Sequence, residues 1–126
     1  MPTPEFVLSI REKIGHDLLW MTGVTAVILD DRERILLCRR ADNGAWTPIT
    51  GIVDPGEQPA DTAVREAEEE TGLDPSGVEV FGHLPELWLP PSDFAITPVL
   101  GWWAEECAVG VVDPDEVHAV VRAPIE

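Results

Sequence analysis

Three glutamates, Glu66, Glu69 and Glu70, stand three and four residues apart. At ~100° per helical residue they share one edge of a helix, whereas Glu68 points to nearly the opposite side. Like charges at this spacing oppose helix formation by roughly 0.2–0.5 kcal/mol per pair, so the cluster asks for a cation. Arg65 beside it supplies part of that charge. Hard oxygen ligands suit Mg²⁺ or Mn²⁺, which take a few carboxylates, keep several waters and bridge to phosphate oxygens. For the helix alone, a solvated acidic face explains the same residues equally well.

The elements that must carry this cluster are legible around it. Pro59 fits a first helical position, Ala60, Ala63, Val64 and Ala67 form an apolar stripe, and Gly72 fits a C-terminal stop, which predicts a helix over 59–71. The glutamate edge borders that stripe, at the rim of the core. Upstream, Thr3 and Pro4 predict a cap and start for a leading helix over 4–14, ended by Gly15. TGVTAVILD (22–30) and RILLCRR (34–40) read as an antiparallel hairpin turned at Asp30 and Asp31. Short strands and tight turns are expected over 46–57, and further strands over 78–84, 94–105 and 116–122, separated by the proline-bearing segments LWLPPSD and VDPDE. Strands, helix, strands make an α+β class, and 126 residues suit one domain, 1–126. The chain stops at APIE, where a helix could follow the last strand, and truncation is one expectation there.

Composition narrows the partners. Eight Lys and Arg against 24 Asp and Glu give a net charge of −16, which repels nucleic-acid polymers and anionic membranes. A phosphorylated small molecule would be repelled too, unless metal neutralises it. No apolar run approaches the ~18 residues of a membrane helix, and the N-terminus lacks the basic-then-apolar pattern of a signal peptide, so a cytoplasmic location is expected. Cys38 and Cys107 have no CxxC spacing and read as free thiols. His16, His83 and His118 stand isolated.

From Gly51 the chain runs Gly51, five residues, Glu57, seven residues, then Arg65-Glu66-Ala67-Glu68-Glu69-Glu70-Thr71-Gly72-Leu73. This resembles the Nudix box at every specified position of its 23 residues. The resemblance implies a mixed β-sheet sandwiched between α-helices, with the box forming loop, helix and loop. It implies a Mg²⁺-dependent hydrolase, Mn²⁺ being an alternative, that cleaves a diphosphate linkage in a small nucleotide-like substrate by attack of water. By the same resemblance Glu66, Glu69 and Glu70 hold the metal with a backbone carbonyl near Thr50 or Gly51, and Glu57 and Arg65 brace the loop against the helix. The metal would acidify water and neutralise the diphosphate, and Glu66 is a candidate base. A further acidic residue is sought among Glu105, Glu106 and Glu116.

Substrate contacts are expected at Trp46, Arg39 and Trp88, each of which also has a packing or surface reading. RRADNGAWTPITGIVDPGE resembles Nudix members of the ADP-ribose and dinucleotide kind, with Ile49-Thr50-Gly51 in place of the common Pro-Gly-Gly. LPELWLPPSDFAITPVLGWW resembles coenzyme A diphosphatases, without that branch's signature upstream of the box. Ordinary divergence and recombination within the box both account for this. A non-catalytic nucleotide-binding or interaction domain on the same scaffold is the alternative, against which the complete carboxylate set argues. The isomerase branch would need a catalytic cysteine motif that neither Cys38 nor Cys107 provides. Apolar surface beside the leading helix and the chain's end suggests a homodimer.

Overall fold

A computed structural model describes residues 3–17, 19–89 and 94–125. The elements in chain order are α1 (Glu5–Ile14), β1 (Met21–Leu29), β2 (Arg34–Arg40), β3 (Trp46–Thr47), β4 (Ile49–Ile52), α2 (Pro59–Thr71), a 3-10 turn (Pro75–Gly77), β5 (Val78–His83), β6 (Leu87–Leu89), β7 (Phe94–Trp103) and β8 (Val117–Pro124). The strands form one mixed sheet in the order β3-β2-β1-β7-β5, with β4 on β1, β6 on β7 and β8 on β2. Mixed sheet and two helices make an α+β fold. No described helix is long and apolar enough to cross a membrane.

The expected hairpin is present only at its turn. Asp30 is 3% exposed, and its carboxylate accepts from the Arg32 and Arg34 N–H groups and from Arg34 Nε at 2.8 Å. Beyond the turn the two strands part company. Leu29 faces Ile35, after which β1 lies between β4, antiparallel, and β7, parallel, through nine paired positions from Met21↔Phe94 to Leu29↔Trp102. β2 pairs instead with β3 and β8. A hairpin expectation rests on adjacency in sequence, whereas each of these strands finds its longer apolar partner elsewhere.

Local signals held where they were self-contained. α2 begins at Pro59 and ends at Gly72, which adopts a left-handed φ of 72° and donates its N–H to the Glu68 carbonyl. α1 begins one residue later than predicted: Pro4 is the extended cap residue, ψ 147°, and no side chain caps it. Leu87–Leu89 forms a strand against β7 where a proline-bearing connector was expected. The rest of that connector, 90–93, lies outside the described residues, as does the terminal Glu126.

The core is sealed between α2 and the sheet. Val24, Ala26 and Ile28 of β1 face inward at alternate positions, meeting Ile49, Ala63, Ala67 and Trp103, all nearly inaccessible. α2 packs across β4, β1 and β7. Its buried residues are Thr62, Ala63, Glu66, Ala67 and Thr71, so a glutamate occupies the middle of the buried stripe.

Candidate active site

The three glutamates lie at three depths. Glu66 is 2% exposed, Glu70 half-buried and Glu69 exposed. The rim position expected from the helical wheel is therefore too shallow for Glu66. Gly51 on β4 makes the depth accessible: a methyl group there would come within 2.6 Å of Glu66 Cδ and 2.7 Å of Oε1. One oxygen of Glu66 meets Arg65 Nη1 at 3.2 Å, while the other, Oε2, is buried without any hydrogen-bond partner. A carboxylate oxygen left so is costly unless a proton or a cation answers it.

Arg65 holds the loop and the helix together. Its Nε and Nη2 donate to the two oxygens of Glu57 at 2.8 and 3.0 Å. Its Nη1 reaches Glu66 and Glu69, and Nη2 also lies 3.6 Å from Asp54. Glu57 further accepts from Thr62 Oγ1 at 2.7 Å and from the Asp54 N–H. These bonds, the Arg65 fork first, hold the Glu57 carboxyl down at about 2.

Glu66 moves the other way. Burial pushes its carboxyl up to about 7, reinforced by Glu70 and Glu69 and opposed by Arg65. Burial raises Glu70 as well, against the pull of Arg40 and of the Cys38 thiol, whose Sγ lies 3.9 Å from Glu70 Oε2. Burial and the Glu70 carboxylate push that thiol up to about 12, so it stays protonated as a donor.

A pH dependence of stability follows. The unfolded chain releases the Glu66 proton near 4.5 and the fold only near 7. Between these values the unfolded state binds fewer protons, so stability falls as pH rises, by on the order of 3 kcal/mol in total. Glu57 acts in the opposite sense: its contribution is complete above 4.5 and is lost as pH falls towards 2. Urea unfolding in EDTA from about pH 3 to about pH 8 is expected to show greatest stability near 4.5, with Mg²⁺ removing the decline above it. A metal-free profile that rises steadily to neutral pH would contradict the assignment.

The other residues singled out from sequence are scattered. Arg39 is exposed and faces Trp46 across the β2–β3 pair, on the opposite strand face from Cys38. Trp46 is 48% exposed and Trp88, on β6, 59% exposed. Arg40 rather than Arg39 exerts its charge on Glu70, while its Nη2 pairs with Asp42 at 2.6 Å. Of the three later acids, Glu106 pairs with Arg122 at 2.8 Å and lies 3.7 Å from Arg34, at the opposite end of β2 from Arg40. With Asp30 and Asp31 it forms the one trio of carboxylates close enough among the described residues to share an ion as they stand. Arg34, paired with Asp30 and Glu106, and Arg122, paired with Glu106, already offset two of its three charges. Glu105 is exposed, its N–H donating to the Gly77 carbonyl. Glu116 belongs to the nearer end of β2, its carbonyl accepting from Ala41 N–H.

Two residues near the glutamates were not anticipated. Asp54, half exposed beside Arg65, is an acid inside the box, and its position there was the available signal. Phe6 of α1 has no such signal. With Thr3, Pro4 and Glu5 it faces Asp54, Pro55, Arg65, Glu66 and Glu69 across a cavity of ≈ 410 Å³.

The architecture and the box have relatives. A family model described as NUDIX domain matches residues 19–123. The chain is 36% identical over 110 residues to Nudix hydrolase 3 of Caenorhabditis elegans, covering 82% of this chain and 46% of that protein. It spans less than half the length of the curated relatives it matches. A NUDIX hydrolase structure from Nitrosomonas europaea superposes with a TM-score of 0.72 at 20% identity, covering 87% of this chain and 60% of the other. A C. elegans Ap4A hydrolase binary complex gives 0.68 at 21%, covering 81% and 79%. With the family model spanning most of its length and the box intact, the chain belongs to the Nudix family.

Proposed function

We propose that the chain is a divalent-metal-dependent hydrolase that opens a diphosphate linkage in a nucleoside diphosphate derivative, with Mg²⁺ as the ordinary metal and Mn²⁺ as a substitute. The observation that carries this reading is Glu66 itself: its side chain packs against Gly51 and its Oε2 is buried without a partner, at the wall of a cavity also lined by Glu69 and Arg65. A carboxylate kept there costs stability, and a site that spends stability on charge is characteristic of chemistry rather than packing. Names given to matched proteins, Nudix hydrolase and Ap4A hydrolase, agree with the reaction class.

Glu66, Glu69 and Glu70 would hold the metal, with a backbone carbonyl of Thr50 or Gly51 as a further oxygen donor. When bound it supplies positive charge against the diphosphate and acidifies a water. Glu66 and Glu69 open onto the cavity, and Glu70 is held from behind by the Cys38 thiol and Arg40. The Glu57–Arg65 fork keeps the loop from Gly51 to Glu57 fixed on α2, so the donors stay in register. Glu66 takes the proton of the attacking water, as a carboxylate placed beside an acidified water can. The substrate is a free nucleotide derivative, because the −16 charge repels polymers and anionic membranes. ADP-ribose, dinucleotide and coenzyme A types all fit the reaction. One domain, a cytoplasmic setting and a homodimer remain parts of the proposal.

The test is phosphatase-coupled phosphate release from ADP-ribose, coenzyme A, NADH and nucleoside triphosphates with Mg²⁺. Turnover of one of them should stop with EDTA and fall at least about 10²-fold in Glu69→Gln and Glu70→Gln. Folded protein that turns over none would reject the enzyme reading in favour of a nucleotide-binding domain.

A further inference from the structure

The cavity over Glu66 does not end at α1. Phe6, Asp54 and Pro55 line it and also line a second opening of ≈ 450 Å³ between α1 and the loop joining β4 to α2. The two spaces differ in chemistry. The first holds Glu5, Glu66, Glu69 and Arg65, whereas Ile10, Trp20, Met21 and Ile52 contribute an apolar wall to the second. The groove's charged side chains are Asp54 and Glu57. Both oxygens of Glu57 are occupied by Arg65, and Thr62 shares one of them. Asp54 is half exposed, with Arg65 3.6 Å away. Trp20 leaves 56% of its surface open.

Among the described residues no cation lines this groove to meet a phosphate, and the two carboxylates repel it. A flat, neutral group with N–H donors suits it better: its face can lie on the Trp20 indole and its donors can reach Asp54. We propose that the groove between α1 and the β4–α2 loop is the subsite for the aromatic base of the substrate, with Trp20 as its stacking residue. The inference rests on the diphosphate reading of the adjoining cavity, and it assigns the substrate's base a place and a stacking residue beside that cavity. It also separates Trp20 from Trp46 and Trp88, which are as open to solvent but line neither the cavity nor the groove.

The test needs no turnover. Affinities for α,β-methylene-ADP and for methylenediphosphonate, its counterpart without nucleoside, are measured with Mg²⁺ by titration calorimetry for wild type, Trp20→Ala and Trp20→Phe. Trp20→Ala should weaken α,β-methylene-ADP about tenfold, leave methylenediphosphonate unchanged, and be largely rescued by Trp20→Phe. Equal losses for both ligands, no loss for either, or wild type binding the nucleotide no better than methylenediphosphonate would overturn the subsite. So would 4′-phosphopantetheine losing affinity in Trp20→Ala while α,β-methylene-ADP does not, which would assign the groove to an aliphatic end. The hydrolase reading fails separately, by the absence of Mg²⁺-dependent phosphate release, whatever these affinities show.

Discussion

Replacing Glu66 by glutamine is expected to lower turnover by about 10³-fold and, in metal-free protein at about pH 8, to raise stability by on the order of 3 kcal/mol. The two effects have one origin. At that pH the fold keeps a charged carboxylate that burial opposes, with one oxygen lacking any partner. Glutamine keeps the shape and removes the charge, so the folding penalty disappears along with the metal anchor and the proton acceptor. Steady-state turnover with Mg²⁺ and urea unfolding in EDTA measure the two arms. Loss of activity accompanied by loss of stability would mean that Glu66 is a structural residue with an ordinary paired carboxylate.

Adding a single methyl group at Gly51 is expected to be almost as damaging. In Gly51→Ala the new Cβ would lie within 2.7 Å of Glu66 Cδ and Oε1, much closer than any real contact, so either Glu66 must leave its place or β4 must move off α2. Activity should fall at least about 10²-fold, since misplacing a reacting group by about an ångström has that cost. Stability should fall by about 1–3 kcal/mol, the usual penalty of overpacking. The double variant Gly51→Ala with Glu66→Ala should recover much of the lost stability and none of the activity, because the clash requires both side chains. If Gly51→Ala alone retained full stability and turnover, the contact between β4 and α2 would have to be looser than described.

What sequence made legible depended on distance along the chain. Pro59 and Gly72 bound α2 by local chemistry, and the spacing of Glu66, Glu69 and Glu70 placed them on one side of it. The partners of β1 and β2 were not legible, since Met21↔Phe94 and Arg34↔Pro124 join residues far apart in the chain. The different depths of the three glutamates were hidden for the same reason. Helical periodicity puts Glu66 at the edge of the apolar stripe, and only the glycine facing it on β4 allows full burial. Arg39 and Arg40 look alike at the end of a strand, and which of them exerts its charge on Glu70 depends on packing between distant elements. Phe6 and Trp20 had no local signal, because their place beside the box loop depends on how α1 packs.

Hydrolysis in ¹⁸O-labelled water tests the central claim most directly. With Mg²⁺ and whichever diphosphate substrate is turned over, one product phosphate should carry a single ¹⁸O, seen by mass spectrometry, and EDTA should stop its formation. Unlabelled products, or turnover that continues in EDTA, would contradict attack by a metal-activated water at Glu66, Glu69 and Glu70.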